Sequence, residues 1–195
     1  MPTRRIVLAA PLLLAAAPEH VPEPRGIWRG PVHGPVPATL SGAVVLDTPA
    51  LRRLIATHHP VLIDVARAQV RPPHMAPDMP WLPLPHRDIP GSVWLPGAGK
   101  GDPPAGLVEA YRARLAALTG GDRDRWVVVY CHPRCWESWN AAKRAVLFGH
   151  RHVAWYPGGI EAWQAARLPT QIARPESLGG GAAPANPGVT ASDPP

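Results

Sequence analysis

No stretch of the 195-residue chain is long and apolar enough to span a bilayer as a mature helix. There is no Cys-x-x-Cys-His haem attachment and no glycine-rich nucleotide fingerprint, so the chain is expected to carry no tightly bound organic cofactor. The formal net charge is +6, but 18 of the 20 cations are arginines scattered along the chain. A nucleic-acid surface needs a basic stripe interleaved with aromatics, and its absence argues against that class of partner. Internal repeats are lacking too. Charged residues are sparse at 17% while hydrophobic residues reach 46%, which describes a globular chain with one real core. Cysteine is scarce, with two residues.

Proline is what the chain has in excess. Its 28 prolines cluster in residues 18–37, 72–96 and 169–195. Those stretches should be irregular or extended, because proline lacks a backbone donor. Between Thr119 and Trp163 only Pro133 and Pro157 occur, so the best regular structure is expected there.

The first residues carry an export pattern. Arg4 and Arg5 form a positive start, Ile6 to Leu14 a short apolar run, and Ala15-Ala16-Ala17 a small-residue cleavage site. The mature chain should begin near Pro18 and reside in the periplasm. Thr3-Arg4-Arg5 faintly resembles a twin-arginine signal, but the general secretory route suits a chain without a buried cofactor. In an oxidising compartment a close cysteine pair can be a disulfide. Cys131 and Cys135 are close in any fold, and a ring that small adds only about 2 kcal/mol. A purely structural staple is therefore the weaker explanation.

Residues 18–42 read as a proline-rich extended arm, 43–172 as a folded domain and 173–195 as a disordered tail, after a signal peptide at 1–17. Within the domain, strands are expected at Ala43–Leu46, Val61–Val65, Ser92–Leu95, Trp126–Tyr130 and Val153–Tyr156. Thr48-Pro49 and Asp102-Pro103 each read as a helix start, a capping side chain followed by proline. The second of these helices would turn Leu107, Tyr111, Leu115 and Leu118 inward. Further helices are expected at Glu137–Phe148, ending at Gly149, and at Ile160–Arg167. Residues 66–91 form a long proline-rich loop, a length that is often functional. Strand–helix alternation implies an α/β domain with a mostly parallel central sheet.

One site stands out from this order. In parallel α/β sheets ligands sit at the carboxyl ends of the strands. Cys131 follows directly on the strand Trp126–Tyr130 and precedes a helix, whose amides and dipole should favour its thiolate. Cys135 could then resolve an intermediate formed at Cys131 by disulfide exchange. His132 is a candidate proton acceptor, and Arg134 is the only cation of the loop. Trp136 could gate the thiol or anchor a partner. Asp64, at a strand end, reads as a support for the turn through backbone hydrogen bonds. His58-His59 reads as a helix end. Cys131, Cys135 and His132 are only three candidate ligands with no second cluster, so no metal site is expected.

At these residues the sequence resembles the rhodanese-like family. Leu62-Ile63-Asp64-Val65 is similar to its Leu-Ile-Asp-Val-Arg strand, and Ile89-Pro90-Gly91-Ser92 to its His-Ile-Pro-Gly-Ala turn, with His86 displaced. Tyr130-Cys131, Ala141-Ala142 and Gly149 resemble the active-site strand, loop and helix, and Pro157-Gly158-Gly159 with Trp163 the closing segment. The resemblance implies a three-layer rhodanese-like fold over about residues 43–170. A narrower likeness lies in Cys131-x-x-x-Cys135-Trp136 and Ser138-Trp139-Asn140-Ala141-Ala142-Lys143-Arg144, which resemble the CXXCW-motif proteins associated with PQQ-dependent alcohol catabolism. That likeness implies a periplasmic PQQ-dependent dehydrogenase or cytochrome c as partner, the PQQ belonging to the partner.

Two departures from ordinary sulfurtransferases bear on activity. The far end of the loop carries Trp136 and Glu137, and a carboxylate there should repel thiosulfate. The loop is also one residue longer, as in the phosphatase version of the fold, but Glu137 stands where a phosphatase needs an arginine fork. Three readings remain: thiol redox or sulfur handling through Cys131 and Cys135, a non-catalytic module binding a dehydrogenase or cytochrome, and a thiosulfate sulfurtransferase.

Overall fold

A computed structural model of the chain describes residues 20–178. The export pattern at residues 1–17 and the part of the tail from 179 onward lie outside the described residues.

Short runs of β-branched residues make the strands, and proline or glycine punctuates them. In chain order the elements are β1 (Val44–Val45), α1 (Thr48–His58), β2 (Val61–Asp64), β3 (Arg87–Asp88), β4 (Ser92–Trp94) and α2 (Leu107–Thr119). There follow β5 (Val127–Tyr130), α3 (Trp136–Leu147), β6 (Val153–Tyr156), α4 (Gly159–Ala165) and β7 (Gln171–Ile172). Five strands form one sheet in the order β1-β6-β5-β2-β4, with every neighbouring pair parallel. β5 is central, pairing Val128 with Leu62 on one side and Ala154 on the other. The expected mostly parallel α/β sheet flanked by helices is therefore the observed one.

The period-2 alternation of the strands divides the core into two layers. Val61, Ile63, Val127, Val129, Val153 and Trp155 face α2 and α3. Leu62, Val128, Tyr130, Ala154 and Tyr156 face α1 and α4, through Leu51, Ile160 and Trp163. Each of the buried Val, Leu and Ile side chains contributes about 1.5–3 kcal/mol.

Several boundaries differ from the sequence expectation. Asp47, not Thr48, caps α1, its Oδ1 accepting from Ala50 N at 2.8 Å. α2 starts at Leu107 rather than at Asp102-Pro103. Pro104 follows Pro103 and disfavours the helical region for it, so the turn forms only after the pair. The two-residue strands β3 and β7 pair antiparallel, Arg87 with Ile172 and Asp88 with Gln171, and were too short to leave a pattern in sequence.

Both proline-rich flanks pack on the domain as far as they are described. Val36 and Leu40 of the arm are buried in the α2–α3 layer. Residues 173–178, expected to open a disordered tail, are docked. Ala173 N donates to His86 O, Glu176 N to Trp94 O, Arg114 clasps the Glu176 carboxylate at 2.7 and 2.8 Å, and Leu178 is buried.

Candidate functional site

β5 ends at Tyr130 and delivers Cys131 to the carboxyl edge of the sheet, where residues 131–135 turn into α3. Two features set the turn. Arg134 adopts a left-handed backbone (φ 56°), which reverses the chain before the helix. Gly159 has φ +61°, and a Cβ there would stand 2.5 Å from the Cys131 carbonyl oxygen. Only glycine allows α4 to close on the loop, where Ile160 N donates to Cys131 O at 3.0 Å.

The arm crosses the other side of the loop. Val32 O accepts from Trp136 N at 2.8 Å, Gly34 N donates to Arg134 O at 3.1 Å, and His33 bridges Cys135 in antiparallel fashion. Trp28 stacks on Trp136 with centroids 4.3 Å apart. Asn140 brackets the Trp28 backbone, its Oδ1 accepting from Trp28 N at 2.8 Å and its Nδ2 donating to Trp28 O at 2.9 Å. Trp136 was expected on an open loop as a gate or anchor. It is 3% exposed, covered by Trp28 and edge-on to Trp139, so it is part of the core.

The two sulfurs meet inside this enclosure. Cys131 Sγ–H donates to Cys135 Sγ at 2.9 Å, within about an ångström of the bonded S–S distance of ~2.05 Å. Both are free thiols and each is 2% exposed. Their protonation order is the reverse of the expected one. Cys135, the residue that caps α3, is lowered to about 7. The hydrogen bond from Cys131 contributes most, and the Glu137 and Ser138 amides add to it against the opposing cost of burial. Cys131 is pushed up, first by its bond to Cys135 and then by burial and the neighbouring charge. The helix amides do favour a thiolate, but they reach the sulfur at the cap, one turn beyond the strand end.

Sequence reasoning missed the cation of the site. Arg67, just past β2, donates from Nε and Nη2 to Glu137 Oε1 at 2.9 and 2.6 Å. Its side chain is 54% exposed, whereas Glu137 is buried. Both thiol positions act electrostatically on Arg67. The Glu137 charge is thus compensated, so the simple repulsion of thiosulfate expected from Glu137 does not follow from the site. An arginine three residues beyond Asp64 at a strand's carboxyl end was the available signal.

The remaining residues scatter around this centre. Asp64 is fully buried; its Oδ1 accepts from Ala66 N at 2.8 Å and its Oδ2 meets His86 Nε2 at 2.8 Å. His86 in turn stacks on Trp94 with centroids 3.8 Å apart. His132 sits at the surface with Nδ1 2.6 Å from Glu161 Oε1, so its partner is a carboxylate of α4. The Arg134 side chain is exposed. Among the described residues no group of three or more histidine, cysteine or acidic side chains could hold a metal ion.

A comparison with protein families gives the type of domain. The model of the rhodanese-like domain family matches residues 47–166. Among solved structures, a thiosulfate sulfurtransferase from Pseudomonas aeruginosa is 19% identical over 72% of this chain and 22% of its own, with a TM-score of 0.44. The match therefore spans under a quarter of that protein. A polysulfide-sulfur transferase homodimer from Wolinella succinogenes is 22% identical, covering 67% of this chain and 80% of that one, with a TM-score of 0.41. A human single-domain sulfurtransferase is 22% identical over 64% of this chain and 96% of its own, at 0.39. No curated protein matches the chain.

Proposed function

Because this chain belongs to the rhodanese-like domain family, we propose that it is an exported protein whose Cys131 and Cys135 carry out thiol redox or sulfur handling in support of PQQ-dependent alcohol oxidation. The observation that carries the thiol reading is the 2.9 Å hydrogen bond between the two buried sulfurs, which favours the thiolate at Cys135 and opposes it at Cys131. A thiolate with a second thiol already in line suits exchange through a mixed disulfide, since the attack on the resolving bond needs no large rearrangement. Enclosure by the arm and by the Arg67–Glu137 pair suits a protein that meets a specific partner better than one turning over free thiosulfate. Export rests on the Arg4–Ala17 pattern, and the PQQ association on the Cys131-x-x-x-Cys135-Trp136 likeness.

The reading is tested by poising the full mature chain in glutathione redox buffers and weighing it intact after alkylation. A single two-electron transition between a doubly alkylated form and an unalkylated form is expected. A chain that takes up two alkyl groups at every poise contradicts it.

One observation favours the binding-module reading. Val70, Leu82 and Leu84 are strongly exposed and Met79 half-exposed along the 66–86 loop. Apolar side chains held in water on one loop suit a contact surface, and on this reading its occupant is a dehydrogenase or cytochrome c. Pull-down of such a partner by the wild type, weakened in Leu82→Ser/Leu84→Ser and unaffected in Cys131→Ser/Cys135→Ser, would promote it over thiol chemistry.

A further inference from the structure

A dithiol that is 2% exposed at each residue cannot meet a partner until something moves. The segment that touches the active loop most directly is the N-terminal arm. Its bonds flank Cys135 on both sides, through Arg134 O to Gly34 N at 3.1 Å and Trp136 N to Val32 O at 2.8 Å. His33, between them, bridges Cys135 itself. Trp28, Val32 and Val36 pack in the same apolar layer as the two cysteines.

The arm is also built to come away as a unit. Among the described residues before β1 it has no helix or strand, so lifting it breaks no hydrogen-bond ladder of its own. Its two ends are tied together. Glu23 accepts from Thr39 Oγ1 at 2.9 Å and Ser41 N at 2.7 Å, and Lys143 Nζ of α3 donates to it at 3.2 Å. Residues 24–38 are therefore a loop pinned at its base, with its free span lying over residues 134–136. The span is seated in a socket. Asn140 brackets the half-buried Trp28, and Gly101 lies against its backbone, where a Cβ would run into the Trp28 carbonyl oxygen. Gly101 is not one of the glycines with positive φ, so what requires glycine there is the close approach of the arm.

We propose that residues 26–34 are a strap that gates the dithiol: seated, it keeps the sulfurs from solvent, and lifted, it opens Cys135 to a reaction partner. The proposal rests on the dithiol reading above and adds its regulation. A gate of this kind makes the observed rate at the thiols the intrinsic rate multiplied by the fraction of molecules with the strap lifted. Trp136 N reports the same opening independently. It is the first amide of α3, with no acceptor inside the helix, and Val32 O is its acceptor.

The experiment measures iodoacetamide alkylation of the reduced full mature chain beside amide hydrogen exchange on the same sample. Wild type should alkylate at least about a hundredfold more slowly than the chain unfolded in urea, and the Trp136 amide should be protected by the same factor. Gly101→Ala, which touches neither thiol, should speed alkylation about tenfold or more and lower the Trp136 protection in parallel. A wild type whose Trp136 amide exchanges freely while the thiols stay slow overturns the proposal, and this comparison needs no variant to fold. A Gly101→Ala chain with a released Trp136 amide and unchanged alkylation overturns it too. So does a tenfold rise in Arg67→Ala with none in Gly101→Ala, which would put the entrance beside Arg67. Oxidised glutathione added to Gly101→Ala keeps the two readings apart. Thiols that alkylate fast there yet form no disulfide uphold the gate and mark the failure of the dithiol reading itself.

Discussion

The N-terminal arm and the 66–86 loop are alike in sequence and opposite in structure. Both are rich in proline, and both lack regular elements over most of their length. The arm is locked on α3 by the Trp28–Trp136 stack, the Asn140 bracket, and the Trp139 Nε1 bond to Thr39 O at 3.1 Å. The loop folds on itself, with Arg71 Nη2 donating to the Pro77 and Met79 carbonyls, and leaves Leu82 and Leu84 in water. Proline content reports how a segment's backbone is built; it does not report whether the segment is buried. That depends on aromatic and amide side chains meeting partners far along the chain.

The contrast is sharpest at Trp28. Trp28→Ala should remove about 3 kcal/mol from unfolding in urea, by emptying the space over Trp136. It should also speed alkylation of the thiols by loosening the strap over Cys135. A loss under about 0.5 kcal/mol would show that the arm merely rests on the domain, as the loop does.

Asp88, at the base of the loop, should have the next largest effect. Neither carboxylate oxygen has a partner among the described residues, and burial pushes its pKa up to about 6 from 3.8. A carboxyl that binds its proton more tightly when folded lowers stability as pH rises from about 4 to about 6, and the loss persists above. Asp88→Asn should flatten that slope and gain about 2 kcal/mol near neutral pH, read from melting temperature against pH. A melting curve that keeps its slope in Asp88→Asn would assign the titration to another group.

On the loop itself, Leu82→Ser/Leu84→Ser should change stability by under about 0.5 kcal/mol, because little apolar area is buried there. A larger loss in thermal unfolding would erase the contrast between the two segments.

Sequence patterns conveyed the frame of the molecule well and its enclosures poorly. The runs Val61–Asp64, Val127–Tyr130 and Val153–Tyr156 are strands because continuous apolar residues need burial on both faces. Cys131 and Cys135 could be placed together from their spacing alone. Their protonation order could not, because it depends on which sulfur the α3 amides reach, a matter of one turn of loop geometry. Arg67 and Glu137 are far apart in sequence and carry no mutual pattern. Trp136 looked exposed because Trp28, which covers it, lies in a segment without periodicity.

The central claim is that the two sulfurs act as one unit with the charge on Cys135. Its most direct measurement is the rate of alkylation against pH on the reduced chain, with the labelled cysteine identified by peptide mapping. The account predicts that Cys135 takes the first label with a midpoint near 7, that Cys131 follows only at much higher pH, and that Cys131→Ala, which removes the hydrogen bond that lowers Cys135 most, moves the Cys135 profile upward. First labelling at Cys131, or two thiols titrating alike in the ordinary thiol range, would contradict it.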